Sequence, residues 1–165
     1  ISSKAVPEVV TENGGKPIRS RVGHSFIKAM MAETGAIFGG EHSGHFYFAD
    51  FWRADSGMLA ALFALAELSA SEGSLSQLLA PFNRYVLSGE INTKVKDAQA
   101  SLDLIRDSFK QDYELDELDG VTVTAPQWWF NVRPSNTEPL LRLNVEAQNE
   151  ATMKKVRDKV LEIIG

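Results

Sequence analysis

The chain has 165 residues, of which 44% are apolar and 24% charged, with a formal net charge of −5 and no cysteine. That composition belongs to a folded globular protein. It excludes a disulfide framework and thiol chemistry, and it argues against a generic binder of nucleic acid or anionic membrane, which would be basic. An anion site in this chain must therefore be a local device. The absence of cysteine fits a cytoplasmic protein, and that is the location expected. The first residue is Ile1, and ISSKAV reads as the end of a strand running into a helix. This predicts a C-terminal part of a longer protein.

Ser2 or Ser3 can cap a helix reaching about Glu12, with Gly14 and Gly15 as its stop. Pro17 to Arg21 is a short strand candidate. Gly23-His24-Ser25 opens a second helix, with Phe26, Ile27, Met30 and Met31 on its apolar face and Gly35 as its end. Ala36 to Phe38 and Phe46 to Phe48 are short strands on either side of a glycine-rich loop. Asp55 or Ser56 caps a helix from about Gly57 to Ser69. The run Met58 to Leu68 falls short of the ~20 residues that span a bilayer, and it predicts a buried helix. Helices alternating with strands indicate an α/β unit with a mixed sheet, its first strand missing.

Serine, glycine and proline then cluster in SASEGSLSQLLAPFN, residues 69–83, around one amphipathic turn. The expected organisation is a first domain over 1–72, a linker over 73–83 and a second domain over 84–165. In the second domain Arg84 to Val95 reads as a strand. Ala98, Leu102, Ile105 and Phe109 recur at helical spacing, predicting a helix from Asp97 to about Lys110. Val121 to Thr124, Trp128 to Val132 and Leu140 to Ala147 read as strands. Met153, Val156, Val160 and Ile163 mark a final helix. The order β-α-β-β-β-α predicts an α+β domain of antiparallel sheet with two helices.

Three stretches carry more polar chemistry than their local structure requires. GGEHSGHFYF, residues 39–48, places Glu41, His42, Ser43 and His45 in one turn. A carboxylate accepts hydrogen bonds, a hydroxyl donates or accepts, and an imidazole does either, which is the mix that sugar hydroxyls need. His42 and His45 also suggest a metal pair, but no third ligand stands at convincing spacing, and no metal site is expected. RPSNTEP, residues 133–139, offers the planar fork of Arg133, the hydroxyls of Ser135 and Thr137 and the amide of Asn136. Together they read as a phosphate clamp, against the plainer reading of a polar hairpin with a solvated arginine. In Arg21-Val-Gly-His24 a cation and a histidine meet at a helix N-terminus, which favours anions; a first-turn histidine is the plainer alternative.

RVGHSFIK at 21–28, GGEHSGH at 39–45 and RPSNTEP at 133–139, in this order and spacing, resemble the α-D-phosphohexomutases of the bacterial phosphomannomutase/phosphoglucomutase type. The resemblance covers nearly the whole chain. It implies the third, sugar-reading domain without its first strand, followed by the fourth, phosphate-gripping domain. It further implies that Arg21, His24, Glu41, Ser43 and His45 bind substrate, with His24 and His45 as candidates for acid/base or positioning roles. Arg133, Ser135, Asn136 and Thr137 would bind phosphate. The family's phosphoserine motif and aspartate-rich Mg²⁺ loop are both absent from this chain, so the chain alone is expected to be inactive.

The activity implied is interconversion of hexose 1-phosphate and hexose 6-phosphate, of mannose and in the wider reading also of glucose, through a phosphoserine and a hexose 1,6-bisphosphate. Magnesium would be held outside this chain. The partners implied are a phosphorylated hexose and the remaining domains of the same protein, with neither nucleic acid nor membrane. The alternatives are a non-catalytic phosphosugar-binding module and a phosphoglucosamine mutase. His42 and Asn136 depart from the glutamine and glycine that the glucosamine branch tends to show.

Overall fold

The computed structural model describes residues 1–135 and 138–165. It divides into two compact units, Ile1–Asn83 and Arg84–Gly165.

The first unit begins with α1 (Ala5–Glu12), where Ser3 Oγ accepts from the Ala5 N–H. α2 (His24–Thr34) follows and ends at Gly35, which adopts the left-handed conformation that glycine permits. β1 (Phe38–Gly40), β2 (Phe46–Phe48) and β3 (Ala54–Asp55) then form one antiparallel sheet in the order β1-β2-β3. α3 (Gly57–Ala70) is capped by Ser56, whose hydroxyl accepts from the Leu59 N–H. α4 (Leu75–Leu79) carries a capping box made by Ser74 and Gln77. A 3₁₀ turn over Ala80–Phe82 completes the unit, so the stretch 73–83 is largely helical.

Several expectations for this unit are corrected. Residues 17–21 form no strand, because none of the described residues pairs with them. The sheet is antiparallel throughout, where a mixed sheet was expected, because β1 and β2 are joined by a hairpin too short for a parallel crossover. The first strand lies at 38–40 and not 36–38. A Cβ on Gly39 would stand 2.8 Å from Ile27 Cγ2 and 3.1 Å from the Met31 sulfur. The glycine therefore lets β1 lie directly on α2, with Ile27, Met31 and the fully buried Tyr47 as the small core. α3 forms as predicted but is not buried. None of its residues is inaccessible, and Met58, Leu62, Phe63 and Leu65 are exposed. Within 83 residues, a three-stranded sheet of two- and three-residue strands offers too little surface to cover a largely apolar helix.

The second unit is a five-stranded antiparallel sheet in the order β4-β8-β7-β6-β5. Its elements are β4 (Val86–Lys94), α5 (Ala98–Phe109), β5 (Glu114–Asp116), β6 (Val121–Ala125), β7 (Trp128–Pro134), β8 (Leu140–Ala147) and α6 (Glu150–Ile164). Asp97 caps α5 and Asn149 caps α6, each accepting from a first-turn N–H. β5 is one strand more than predicted. Its three residues carry too short a pattern to register as a strand, and it forms by pairing with β6.

Alternation along the strands gives this sheet two different faces. Phe130, Val132, Leu141, Leu143 and Val145 join Leu102, Ile105 and Phe109 of α5 and Met153, Val156 and Val160 of α6 in one core. Phe109 meets Phe130 edge to face at 5.0 Å, and burying each such side chain stabilises by about 1.5–3 kcal/mol. The opposite face is polar. Trp129 pairs across the strands with Glu146, Asn131 with Asn144, and Arg133 with Arg142. At the turn before β6, Gly120 has φ +71°, and a Cβ there would lie 2.3 Å from the Val132 carbonyl oxygen. That glycine lets the turn close against β7 beside Arg133.

Candidate functional site

In the first unit the glycine-rich loop between β1 and β2 is a three-residue hairpin connection. The Glu41 N–H donates to the His45 carbonyl at 2.9 Å, and the Gly44 N–H donates to the Glu41 carbonyl at 3.0 Å. Gly44 has φ +85°, the left-handed conformation that ends such a turn. This geometry brings Glu41, Ser43 and His45 to one side, facing the start of α2. They line an open cleft of about 380 Å³ together with Gly23 and His24. Four of the five sequence-proposed substrate residues thus share one concavity. Arg21 does not line it; its guanidinium lies 4.7 Å from the centre of the Phe26 ring.

Three polar cleft residues escaped the sequence reading: Lys28, Tyr47 and Asp55. Lys28 stands four residues after His24 on α2, one turn along the same helix face, a spacing that could have signalled it. Tyr47 read as part of an apolar strand. Its hydroxyl donates to Glu41 Oε1 at 2.5 Å, while the Gly23 N–H donates to Glu41 Oε2 at 3.2 Å. Burial first, and then the Glu41 carboxylate, push the Tyr47 phenol well above its ordinary range, so it remains a donor. Both Glu41 oxygens therefore hold the cleft together. A carboxylate has about four acceptor sites, which leaves capacity for a ligand.

Asp55 read as a possible helix cap, but Ser56 takes that role. Asp55 Oδ2 instead receives a hydrogen bond from His45 Nδ1 at 2.5 Å, and its Oδ1 accepts from the Phe46 N–H at 2.9 Å. The register places Tyr47 opposite Asp55, so pairing of β2 with β3 makes this contact. With Nδ1 engaged, Nε2 is the nitrogen available to a ligand in the cleft. The hydrogen bond to Asp55, and then its charge, raise the His45 pKa above 6.5. The bond from His45 lowers the Asp55 carboxyl below 3.8.

The sign of the linked stability follows. The histidine contribution is full below pH 6.5 and fades as pH rises through its raised value. The aspartate contribution is full above pH 3.8 and fades as pH falls through its lowered value. Both are present between about pH 3.8 and 6.5. Asp55→Asn is expected to return the His45 titration midpoint towards 6.5, followed by NMR of the imidazole ring protons. The melting-temperature difference between wild type and variant should be largest in that window. A His45 midpoint unmoved by the substitution refutes the pairing.

Among the described residues no group of three or more His, Asp or Glu side chains could hold a metal ion. No single described helix is long and apolar enough to cross a membrane.

The second unit carries a separate polar cluster where β7 meets β8. Arg133 stands directly opposite Arg142 in the antiparallel register. An Arg142 Nη2 donates to Ser135 Oγ at the long distance of 3.5 Å. Glu90 on β4 lies 3.6 Å from Arg133 and 3.5 Å from Arg142. Among the described residues, the buried Nε of each arginine has no hydrogen-bond partner. Asn136 and Thr137, also proposed as phosphate ligands, lie outside the described residues. Arg142 lies in the stretch Leu140 to Ala147 that reads as a strand, and it was not among the proposed phosphate ligands; the register makes it the cross-strand neighbour of Arg133.

Residues 1–85 match the family described as phosphoglucomutase/phosphomannomutase, alpha/beta/alpha domain III, and residues 90–163 match its C-terminal domain. The chain belongs to the phosphoglucomutase/phosphomannomutase family. It is 47% identical over 163 residues to a phosphomannomutase of Methanocaldococcus jannaschii, covering 99% of this chain and 36% of that protein. A phosphomannomutase of Escherichia coli is 40% identical, covering 95% of this chain and 35% of its own length. A crystal structure of a phosphoglucomutase/phosphomannomutase family protein from Burkholderia thailandensis superposes with a TM-score of 0.82 at 32% identity, over 97% of this chain and 34% of that one. The chain thus spans about a third of the length of these family members. The α/β unit followed by an antiparallel α+β domain agrees with the architecture of the family.

Proposed function

We propose that this chain is the sugar- and phosphate-recognition part of a phosphomannomutase, in the wider reading a dual phosphomannomutase/phosphoglucomutase. The whole protein would interconvert hexose 1-phosphate and hexose 6-phosphate through a phosphoserine and a hexose 1,6-bisphosphate. The phosphoserine and magnesium would be supplied by other domains, and the protein would work in the cytoplasm. The observation that carries this reading is the apposed pair Arg133 and Arg142 beside Ser135. Two planar cations converging on one polar strand end suit the oxygens of a phosphate monoester. The cleft around Glu41, Ser43 and His45 supports the same substrate class, because it offers acceptors and ambivalent groups at one opening.

In this reading each group has one task. Glu41 and Ser43 meet ring hydroxyls, and His24 and Lys28 border the same opening. His45, oriented by Asp55, holds or moves a proton at Nε2. Arg133 and Arg142 hold the phosphate that is not reacting. Phosphoryl transfer depends mainly on positioning and charge stabilisation, and these residues serve both.

The test is a calorimetric titration of the 165-residue chain with mannose 6-phosphate, mannose and inorganic phosphate, alongside a turnover assay with mannose 1-phosphate and a bisphosphate activator. Binding of the two phosphates without detectable binding of mannose, and no turnover above a protein-free control, are expected. Binding of mannose as tight as its phosphate refutes the phosphate-grip role. Turnover by the chain itself refutes the division of labour.

A further inference from the structure

The arginine pair already holds an anion of its own. On the polar sheet face Arg133 and Arg142 stand directly opposite each other, an arrangement that is unfavourable for like charges. Glu90 relieves it from the neighbouring strand, with Oε2 3.6 Å from Arg133 Nη2 and Oε1 3.5 Å from Arg142 Nη1. Each carboxylate oxygen therefore serves one guanidinium. Both distances exceed the ~2.7–2.9 Å of a tight charge-assisted hydrogen bond. The bridge is loose: it offsets one of the two charges without using the donors fully.

The fold goes out of its way to place this carboxylate. β4 pairs with β8 as Val86 with Ala147 and Leu87 with Glu146, then resumes as Glu90 with Asn144 and Ile91 with Leu143. One extra residue enters β4 between these two registers. Had the first register continued, residue 90 would stand opposite Leu143, which belongs to the helix-covered core. The bulge turns Glu90 to the arginine face instead. Gly89 accommodates the bulge at φ +71°, and Ser88 Oγ accepts from the Val145 N–H at 2.9 Å, giving that buried donor a partner where the ladder is interrupted.

Building on the phosphate-grip reading above, we propose that Glu90 is a resident counter-anion that occupies the Arg133–Arg142 pair until a phosphate monoester displaces it. Two guanidiniums and one carboxylate leave a single net positive charge, against two without Glu90. The carboxylate thereby keeps the phosphate grip weak enough to release. A transferase that must present its substrate first by one end and then by the other needs that release. The alternative role is structural: Glu90 would hold the arginines in place, and its loss would weaken the grip. The two roles predict opposite changes in affinity.

The experiment uses the 165-residue chain and inorganic phosphate at fixed ionic strength, by calorimetry. Glu90→Gln keeps the shape and removes the charge, and it is expected to bind phosphate about five- to twentyfold more tightly than wild type. Glu114→Gln, the same charge change on β5 at the far edge of the sheet, is expected to leave the affinity unchanged. In wild-type protein the carboxyl carbon resonance of Glu90 should move along the phosphate saturation curve, a readout that needs no variant to fold. Equal or weaker binding by Glu90→Gln overturns the proposal, as does equal tightening by Glu114→Gln or a stationary Glu90 resonance while phosphate binds. Absence of phosphate binding by wild type and Glu90→Gln alike would instead remove the phosphate-grip reading beneath it.

Discussion

Arg133→Ala is expected to weaken mannose 6-phosphate binding by about 1.5–3 kcal/mol, the contribution of a charge-assisted hydrogen bond, or roughly ten- to a hundredfold in Kd. Arg142→Ala should fall in the same range. Their register makes them one site: they face each other across β7 and β8, and Glu90 bridges them. Groups that share a ligand and a counter-ion do not act independently. The double variant should therefore lose less than the sum of the two single losses. Calorimetry on the four proteins of this cycle is the check. A neutral Arg142→Ala beside a damaging Arg133→Ala refutes the shared site. Neither substitution should lower the melting temperature greatly, because each also removes a like-charge opposition.

Glu41→Ala is expected to damage both stability and sugar recognition. The Tyr47 hydroxyl donates to one carboxylate oxygen and the Gly23 N–H to the other. Tyr47 is fully buried, so losing its acceptor costs about 1–3 kcal/mol, and the start of α2 loses its tie to the hairpin. On the mutase function proposed above, the same change in the full-length protein should lower kcat/KM for mannose 1-phosphate and mannose 6-phosphate alike. Turning a sugar end for end exchanges the hydroxyls presented to the cleft, and a carboxylate can accept from either. Glu41→Gln should be milder on both counts. Its carbonyl oxygen can accept from the Gly23 N–H, and its amide can donate to the Tyr47 oxygen. Thermal melting separates the structural loss from the kinetic one. A Tyr47→Phe variant isolates it further, since it removes the buried donor and leaves the carboxylate. An effect of Glu41→Ala on one direction of the reaction only refutes the two-way role.

Much of this protein was legible in one dimension. Helical spacing alone located α5 and α6, because Leu102, Ile105 and Phe109, and likewise Met153, Val156 and Val160, recur where a helix must turn its apolar side inward. Alternation located β6, and the stretches of β7 and β8 also read as strands. The clusters GGEHSGH and RPSNTEP stood out because their polar content exceeds what a turn needs. What remained hidden depends on partners distant in the chain. β5 exists only by pairing with β6, and residues 17–21 fail as a strand because none of the described residues pairs with them. Asp55 meets His45 only through pairing of β2 with β3, and Tyr47 reveals its hydroxyl only once Glu41 folds over it. Arg142 acquires its meaning from the register that sets it against Arg133, and Glu90 from a single inserted residue that turns it to the other face of the sheet. Side-chain periodicity is a local property, so the sequence by itself determined which segments fold and which loops carry chemistry. Register and strand order are set by packing between segments, so only the tertiary structure decided which charges meet.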